Sequence, residues 1–269
     1  MTAAVDNAQN SMFPALLKYW RTMRRFSQLE LAVEAEVSTR HISFLETGKA
    51  TPSQSMVIRL SQTLSIPLRD QNEMLEAAGF ETYYHSPSTE ELLNGVVGDA
   101  IKSMLQNHDP FPMTIMDRNY EFILVNQGVR KILSLFIPSY ESGHEKSLNL
   151  YDLLLNPKLM KPFVRNWENV AAKMIQRLQR EILMTKDNNQ LNSLLERVLA
   201  FEAMPSKWES PNFSEKASPA FSLEITKGEL ELSFVTTATK FNAPQSVLAD
   251  ELLIESYFPA NEATKNFFS

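Results

Sequence analysis

The sequence contains no cysteine, which excludes disulfide bonds, thiolate nucleophiles and thiolate metal sites. Its seven glycines form none of the patterns that cradle phosphates or dinucleotides or that present a nucleophilic serine. None of its four histidines stands beside a carboxylate at the spacing of a metal-binding motif. We therefore expect no catalytic residue, no metal and no cofactor, and we expect that the protein is not an enzyme.

Long hydrophobic runs are also absent. No stretch approaches the roughly 18 apolar residues of a transmembrane helix, and the N-terminal residues lack the basic and apolar regions of a signal peptide. The lack of cysteine fits a reducing compartment, so we expect a cytoplasmic protein. The composition, 43% hydrophobic and 22% charged, is ordinary for a globular protein, and 269 residues leave room for two modest domains.

The net charge of −6 is unevenly distributed along the chain. Residues 12–59 carry seven basic and four acidic side chains, a surplus of three positive charges. Residues 81–269 carry 18 basic and 24 acidic side chains, a net charge of −6. A basic N-terminal part on an acidic remainder is the distribution expected of a DNA-binding domain joined to another domain, although a solvated surface explains it nearly as well.

The segment from Ser27 to Pro52 has the pattern of two short helices joined by a tight corner. Leu31 and Ala35 share one face of the first helix, and Ile42 and Leu45 share one face of the second. Ala32 is small enough to let the two helices cross closely. This spacing predicts that both helices bury one side against a common core.

Helix ends are marked by residues with specific capping roles. Ser27 with Glu30 forms a capping box, and Ser38 caps the second helix. Gly48 stands where a helix ends in the left-handed region. Glu36 occupies the corner itself, where it would cost about 1 kcal/mol if the turn requires a positive φ.

Apolar spacing alone fits any two amphipathic helices, but the joint pattern is more specific. It resembles the helix-turn-helix of the phage-repressor and Cro class, the XRE family, in Gln28, Ala32, Val37-Ser38, Ile42-Ser43 and Glu46-x-Gly48. Further helical patterns over residues 12–25, after Pro52-Ser53 and from Pro67 to Ala78 complete a five-helix, all-α domain at residues 12–80.

The resemblance implies that the second helix is a recognition helix whose first turns face base edges in the major groove. Arg40 is the candidate for bidentate reading of a guanine, with a solvated surface arginine as the alternative. The predicted base-facing residues are Thr39, Arg40, Ser43 and Phe44. The predicted backbone contacts, which position a protein without reading sequence, are Arg24, Arg25, Gln28 and Ser38.

Beyond a linker at residues 81–89 the pattern becomes mixed. Met113 to Met116 and Tyr120 to Val125 are strand-like runs about an Asp117-Arg118-Asn119 turn, and a helix begins at Asn126. This opening resembles PAS-like sensor domains. An amphipathic helix over residues 162–180, a helix near residues 191–198 and a hairpin of Ala220–Thr226 with Leu230–Ala238 follow. We therefore predict an α+β protein with a PAS-like α/β domain and an antiparallel sheet at residues 90–269.

Nearly the whole chain resembles the MmyB-like transcription regulators. The resemblance implies a bacterial transcription factor with a PAS-like ligand-binding domain for which fatty acids are the ligand class. The matching residues are Ser38-Thr39-Arg40-His41, Phe44-x-Glu46-Thr47-Gly48, Pro67-Leu68-Arg69-Asp70-Gln71-Asn72, Ala77-Ala78-Gly79, Asp117-Arg118-Asn119-Tyr120, Asn166-Trp167 and Glu255-Ser256-Tyr257-Phe258-Pro259-Ala260.

Sixteen phenylalanines, twelve methionines and three tryptophans supply large, adaptable apolar side chains for a ligand cavity. Arg165 or Arg130 is the candidate partner of a ligand carboxylate, with a surface position as the alternative for each. For any one apolar candidate, a role in the core is an equal alternative. The predicted ligand-binding residues are Phe122, Leu124, Asn126, Phe163, Arg165, Trp167, Met174 and Phe234.

The sequence therefore predicts a homodimeric regulator that binds a double-stranded DNA operator and a small apolar ligand. We infer dimerisation because one helix-turn-helix reads few base pairs, whereas two can engage half-sites about one helical turn apart. Two alternatives remain open. The C-terminal domain could be a ligand-free dimerisation or protein-interaction module, or an enzyme controlled by the DNA-binding domain, although the sequence contains no nucleophile–base or metal motif.

Overall fold

The computed structural model describes residues 2–141, 148–185, 189–202, 204, 221–242 and 244–269. They fold into two compact units. The first comprises Met1–Ser86 and Pro244–Asp250, and the second comprises Pro87–Ala243 and Glu251–Ser269. The chain therefore leaves the second unit after residue 243, contributes a short segment to the first unit, and returns.

Five successive helices begin the first unit, which confirms the predicted all-α domain. α1 begins at Thr2, earlier than the predicted start at Met12. One fully buried cluster unites the helices through Trp20, Leu31, Ile42 and Leu60. The helices are α1 (Thr2–Met23), α2 (Gln28–Glu34), α3 (Thr39–Glu46), α4 (Gln54–Thr63) and α5 (Leu68–Ala77).

The residues after α5 remain attached to the first unit. The Asn72 side chain accepts hydrogen bonds from the Tyr83 and Tyr84 amides and donates one to the Tyr84 carbonyl at 2.7 Å. Because Asn72 is buried, these bonds hold the backbone next to α5. The first part of the segment predicted as a linker, residues 81–86, therefore belongs to the first unit.

A residue distant in sequence caps α5. Pro67 precedes the helix and offers no side-chain cap, so the first amides of α5 need another acceptor. The Oδ2 atom of Asp250 accepts a hydrogen bond from the Leu68 amide at 3.1 Å. Val247, on the same short segment as Asp250, packs with Leu68 and Tyr84.

We expect Asp250→Ala to destabilise the start of α5 by about 1 kcal/mol, because removing a capping acceptor has that effect in other helices. Hydrogen–deuterium exchange of a peptide spanning residues 66–78 measures this directly, and exchange there should become about fivefold faster. Asp99→Ala, which removes an exposed carboxylate from another helix, is the control. Equal exchange in the wild type and Asp250→Ala would show that Asp250 does not cap the helix.

The second unit contains an antiparallel sheet, as predicted, and its five strands lie in the order β2-β1-β5-β4-β3. The last strand in sequence, β5, is central and pairs with both β1 and β4. Ala220, the predicted start of the third strand, lies outside the described residues. The strands are β1 (Met113–Met116), β2 (Phe122–Val125), β3 (Phe221–Lys227), β4 (Leu230–Thr239) and β5 (Leu253–Pro259).

The helices after α5 are, in the order of the chain, α6 (Thr89–Leu93), α7 (Val96–His108), α8 (Gln127–Phe136), α9 (Leu150–Leu155), α10 (Trp167–Met184), α11 (Asn189–Leu199), α12 (Val247–Glu251) and α13 (Glu262–Phe268). Of these, α8 to α11 and α13 share a large buried cluster with the sheet. α12 straddles the boundary between the two units. The predicted hairpin-then-helix opening corresponds to β1, β2 and α8, with Asn126 capping α8.

The helix predicted over residues 162–180 begins later than expected. α10 begins at Trp167, and Phe163 lies instead in a short 3-10 turn. Val164 is extended and bridges to Ile225 of β3, and the Arg165 amide donates to the Glu224 carbonyl at 2.8 Å. The prediction that Phe163 belongs to this helix was wrong because strand pairing prevailed over helical periodicity.

Candidate functional site

Helices α2 and α3 form the corner predicted from the sequence. The Glu30 amide donates to Ser27 Oγ at 3.1 Å, and the Ser27 amide donates to Glu30 Oε2 at 2.6 Å, which is the capping box. Hydrogen bonding from the Ser27 backbone lowers the pKa of Glu30. Ser38 caps α3 by accepting the His41 amide at 3.2 Å. Both helix starts are therefore fixed by the predicted serines.

The turn between the helices places a glutamate in the left-handed region. Glu36 has a φ of 54°, a conformation that costs a residue with a Cβ about 1 kcal/mol. The Val37 amide donates to the Ala32 carbonyl at 2.8 Å across the turn. Ala32 and Ala35 are buried beneath it. The corner therefore keeps its close helix crossing, and Glu36 remains in a strained conformation.

A buried polar cluster joins α1 to the ends of α2 and α3. The Glu46 carboxylate accepts two hydrogen bonds from the Arg21 guanidinium and one from Gln28 Nε2 at 2.7 Å. Its side chain is 3% exposed. Hydrogen bonding to Glu46 raises the pKa of Arg21 in spite of the opposing effect of burial. This cluster fixes the orientation of α3 against the rest of the unit.

The opposite side of α3 faces solvent. Arg40 is exposed, and Thr39, Ser43 and Phe44 are partly exposed. The Arg40 guanidinium lies 5.0 Å from the centroid of the Phe44 ring, one helical turn away. Arg40 has no ion-pair partner among the described residues. The four predicted base-facing residues therefore share one accessible surface.

The four predicted backbone-contact residues have different surroundings. Arg24 donates to the carbonyls of Leu64 and Ser65, at 2.9 and 3.1 Å, and its guanidinium lies over the Trp20 ring. Arg25 is exposed and has a φ of 59°. The Gln28 side chain donates a hydrogen bond to Glu46, and the Ser38 hydroxyl accepts one from the His41 amide at the start of α3. Of these side chains, Arg25 has the most freedom to reach another molecule.

Two of the cavities in the described part of the second unit have residues of α9 in their linings. An apolar cavity of about 50 Å³ lies within the core and is lined by Phe122, Leu133, Met160, Phe234 and their neighbours. A second pocket of about 330 Å³ is lined by residues of α9, α10, β4 and β5. Leu150 and Leu154 of α9 line both cavities. These two leucines therefore separate an apolar space from a larger, more polar one.

Charged residues of opposite sign meet in the polar pocket. Glu255 is buried in the central strand, and Arg177 Nη1 lies 4.0 Å from its Oε2 atom. Burial raises the pKa of Glu255, and the nearby Arg177 opposes this effect. Arg177 also lies 3.6 Å from Glu181 and over the Tyr120 ring at 5.1 Å. The pocket therefore combines a buried carboxyl group with a largely buried cation.

The predicted ligand-binding residues are divided among several environments. Phe122 and Phe234 line the apolar cavity, and Met174 lines the polar pocket. Asn126 caps α8 and bonds the Met113 amide and the Phe111 carbonyl. Leu124 is half-buried outside the lining of both cavities.

The remaining candidates pack near the surface of the second unit. Phe163 packs edge-on to Phe136, and Trp167 has the Lys161 ammonium 3.8 Å from a ring centroid. Arg165 is exposed and lies 3.5 Å from Glu231. Arg130, the alternative carboxylate partner, is half-buried. None of these four lines the two cavities described above.

Sequence reasoning missed Arg177 and Glu255 as candidate site residues. Both carry a readable signal, because each places a charge on an apolar face. Arg177 lies beside the buried Met174 and Leu178 on α10, and Glu255 interrupts the alternation of apolar residues in β5. The pairing of the two residues depends on contacts across the fold, which helical and strand periodicity do not contain.

The first unit has five helices and exposes one face of α3, the second helix of its helix-turn-helix. It is joined to an α+β unit with internal cavities, and together they define a DNA-binding regulator with a ligand-binding domain. A helix-turn-helix family model matches residues 17–71. The model of the MmyB-like transcription regulator ligand binding domain matches residues 97–269. The chain belongs to the MmyB-like transcription regulators, whose resemblance was predicted from the sequence. No curated protein sequence matches it.

Two further observations concern membrane-spanning helices and metal sites. None of the helices in the described ranges has the length and apolar character needed to cross a membrane. Within the same ranges, no cluster of three or more histidine or carboxylate side chains has metal-binding geometry. The matched families are those of transcription regulators and ligand-binding domains, which are typically non-enzymatic.

Proposed function

We propose that this DNA-binding regulator acts as a homodimer in the bacterial cytoplasm and senses a small apolar ligand of the fatty-acid class through its C-terminal unit. The observation that carries this proposal is the combination of an exposed α3 surface with two adjacent spaces in a matched ligand-binding domain. The DNA-binding residues are assigned from the geometry of the first unit, and the ligand-binding residues are assigned from the geometry of the second.

For the DNA-binding surface, we propose that Thr39, Arg40, Ser43 and Phe44 face base edges. Their shared exposure on α3 supports this assignment, because the start of a recognition helix enters the major groove. Arg40 would read a guanine, and the Phe44 ring beneath its guanidinium would restrict its motion. Arg24, Arg25, Gln28 and Ser38 would contact or position the phosphate backbone.

For the ligand, we propose a site that begins in the polar pocket and extends past α9 into the apolar cavity. Leu150 and Leu154 line both spaces, so the two lie side by side and a shift of these side chains would join them. Phe122, Met174 and Phe234 would contact the ligand directly. Leu124, Asn126, Phe163, Arg165 and Trp167 remain predicted ligand-binding residues, and they would act from positions around these cavities.

Regulation would follow from linkage between ligand binding and dimer geometry. A ligand shifts a conformational equilibrium only if it binds one state better than the other. If one dimer geometry matches two operator half-sites and the ligand prefers one geometry, ligand occupancy changes operator affinity. Two half-sites spaced by about one helical turn make DNA binding sensitive to such a change.

Native mass spectrometry of the purified full-length protein, followed by denaturing extraction, tests this proposal. We expect a dimer that carries one acyl chain per subunit, and we expect removal of that chain to change operator affinity. A ligand-free dimer whose operator affinity does not respond to added fatty acids would contradict the sensing function. It would leave the DNA-binding assignment in place.

A second candidate function follows from the size of the apolar cavity. Its volume of about 50 Å³ is well below the roughly 300–1,000 Å³ of typical ligand pockets. A long chain would therefore require the surrounding side chains to move. This observation favours a ligand-free dimerisation or protein-interaction module as the alternative, which the extraction experiment distinguishes from a sensor.

A further inference from the structure

The polar pocket contains a buried acceptor whose hydrogen-bonding capacity is unused. Leu253 and Tyr257 lie in the main core cluster, and Glu255 lies between them on the same face of β5. Glu255 is 5% exposed, and its Oε2 atom has no hydrogen-bond partner in the described part of the chain. Buried polar atoms are nearly always hydrogen-bonded, so this oxygen is suited to a donor from a ligand.

Arg177 does not satisfy this oxygen. Its Nη1 atom lies 4.0 Å from Oε2, beyond the range of a hydrogen bond. The same guanidinium is also close to Glu181 and to the Tyr120 ring. Arg177 is therefore held by several neighbours at a distance that leaves Oε2 of Glu255 without a hydrogen bond.

The charge around the pocket favours an anion. Its lining contains three basic side chains, Lys173, Arg177 and Arg180, and one acidic side chain, Glu255. An anionic group would interact favourably with the basic residues but would be repelled by an ionised Glu255. A ligand that carries a hydrogen-bond donor next to its anionic group removes this conflict. Glu255 then accepts a hydrogen bond from the donor, which lies between Glu255 and the anionic group.

Part of the pocket lining is apolar. Leu150, Leu154, Met174 and Ala238 form part of its lining, and the two leucines also border the apolar core cavity. A molecule with a polar end near Glu255 therefore has an apolar surface against which to place a hydrocarbon chain. The pocket accommodates an amphiphile better than it accommodates a uniformly polar ion.

We propose that the pocket selects an acyl carboxylate that carries a hydroxyl group beside its carboxylate, and that Glu255 accepts the hydrogen bond from this hydroxyl. The carboxylate would lie towards Lys173 and Arg180, and the chain would pass Leu150 and Leu154. This inference rests on the proposed sensing function, which it narrows from fatty acids in general to hydroxylated ones.

The test compares decanoate with 3-hydroxydecanoate, which differ by one hydroxyl, by isothermal titration calorimetry on the full-length protein after removal of bound lipid. We expect the wild type to bind 3-hydroxydecanoate at least about tenfold more tightly, the selectivity that one hydrogen bond to a charged acceptor provides. In Glu255→Met the two ligands should bind equally. In Glu255→Gln, which retains an acceptor without the charge, the preference should be reduced.

The ratio of the affinities for 3-hydroxydecanoate and decanoate is measured within one variant. A substitution that changes the overall stability therefore affects both affinities alike and leaves their ratio unchanged. Glu224→Gln, on β3 and outside the pocket lining, is the matched control and should retain the wild-type ratio. Equal affinities in the wild type would overturn the inference but leave general fatty-acid sensing intact. Failure of both ligands to bind would contradict both proposals. A preference that persists in Glu255→Met would exclude Glu255 as the selecting group.

Discussion

Replacing Arg40 with alanine is expected to weaken operator binding by about 5- to 150-fold, the effect of losing a bidentate contact worth about 1–3 kcal/mol. The loss should be confined to operators with the preferred base at one position, so that specificity there is relaxed. Arg40 is exposed and lies against Phe44 alone among its described neighbours. The melting temperature should therefore remain nearly unchanged.

Fluorescence anisotropy with an operator and its single-base variants measures both parts of this prediction. Arg59→Ala, which removes an exposed arginine from α4, is the matched control and should retain base preference. An equal loss of affinity for every sequence would make Arg40 a phosphate contact. Unchanged affinity would remove Arg40 from the interface.

Glu46→Ala is expected to lower the stability of the first unit by about 1–3 kcal/mol, because it leaves the polar groups of Arg21 and Gln28 without their acceptor. Arg21 retains some access to water, with 14% of its side chain exposed, and we therefore expect less than the full effect of breaking a buried ion pair. For a domain of this size the melting temperature should fall by roughly 4–20 °C.

Differential scanning calorimetry of the full-length protein can follow the transition of each unit. Glu34→Ala removes an exposed glutamate from α2 and is expected to change stability by less than about 0.5 kcal/mol. Operator affinity of Glu46→Ala should also decrease, since the carboxylate orients α3 from behind. If Glu46→Ala and Glu34→Ala melted at the same temperature, the cluster would have no stabilising role.

The helix-turn-helix was predictable because its determinants are local. Ser27, Glu30 and Ser38 cap helices through neighbouring amides, and these contacts depend only on short sequence separations. Gly48 adopts a positive φ, as its position in the motif predicted, and Glu36 also has one, which the sequence had left conditional.

The second unit was less predictable because long-range contacts determine its details. The hairpin of β3 and β4 and the start of α8 have local turn and capping signals, and both were predicted. The start of α10 depends on the pairing of Val164 with Ile225, far away in sequence. The capping of Leu68 by Asp250 and the approach of Arg177 to Glu255 likewise leave no periodic pattern in either segment.

Footprinting of an operator that the protein itself selects measures most directly whether the protein reads DNA as a homodimer through α3. The full-length wild-type protein is used to select its preferred sequence from random double-stranded DNA, and the complex is then footprinted. A homodimer that reads DNA through α3 predicts two symmetric half-sites with centres about 10–10.5 base pairs, or a multiple of this spacing, apart. A single asymmetric site, or no preference over random DNA, would contradict the account.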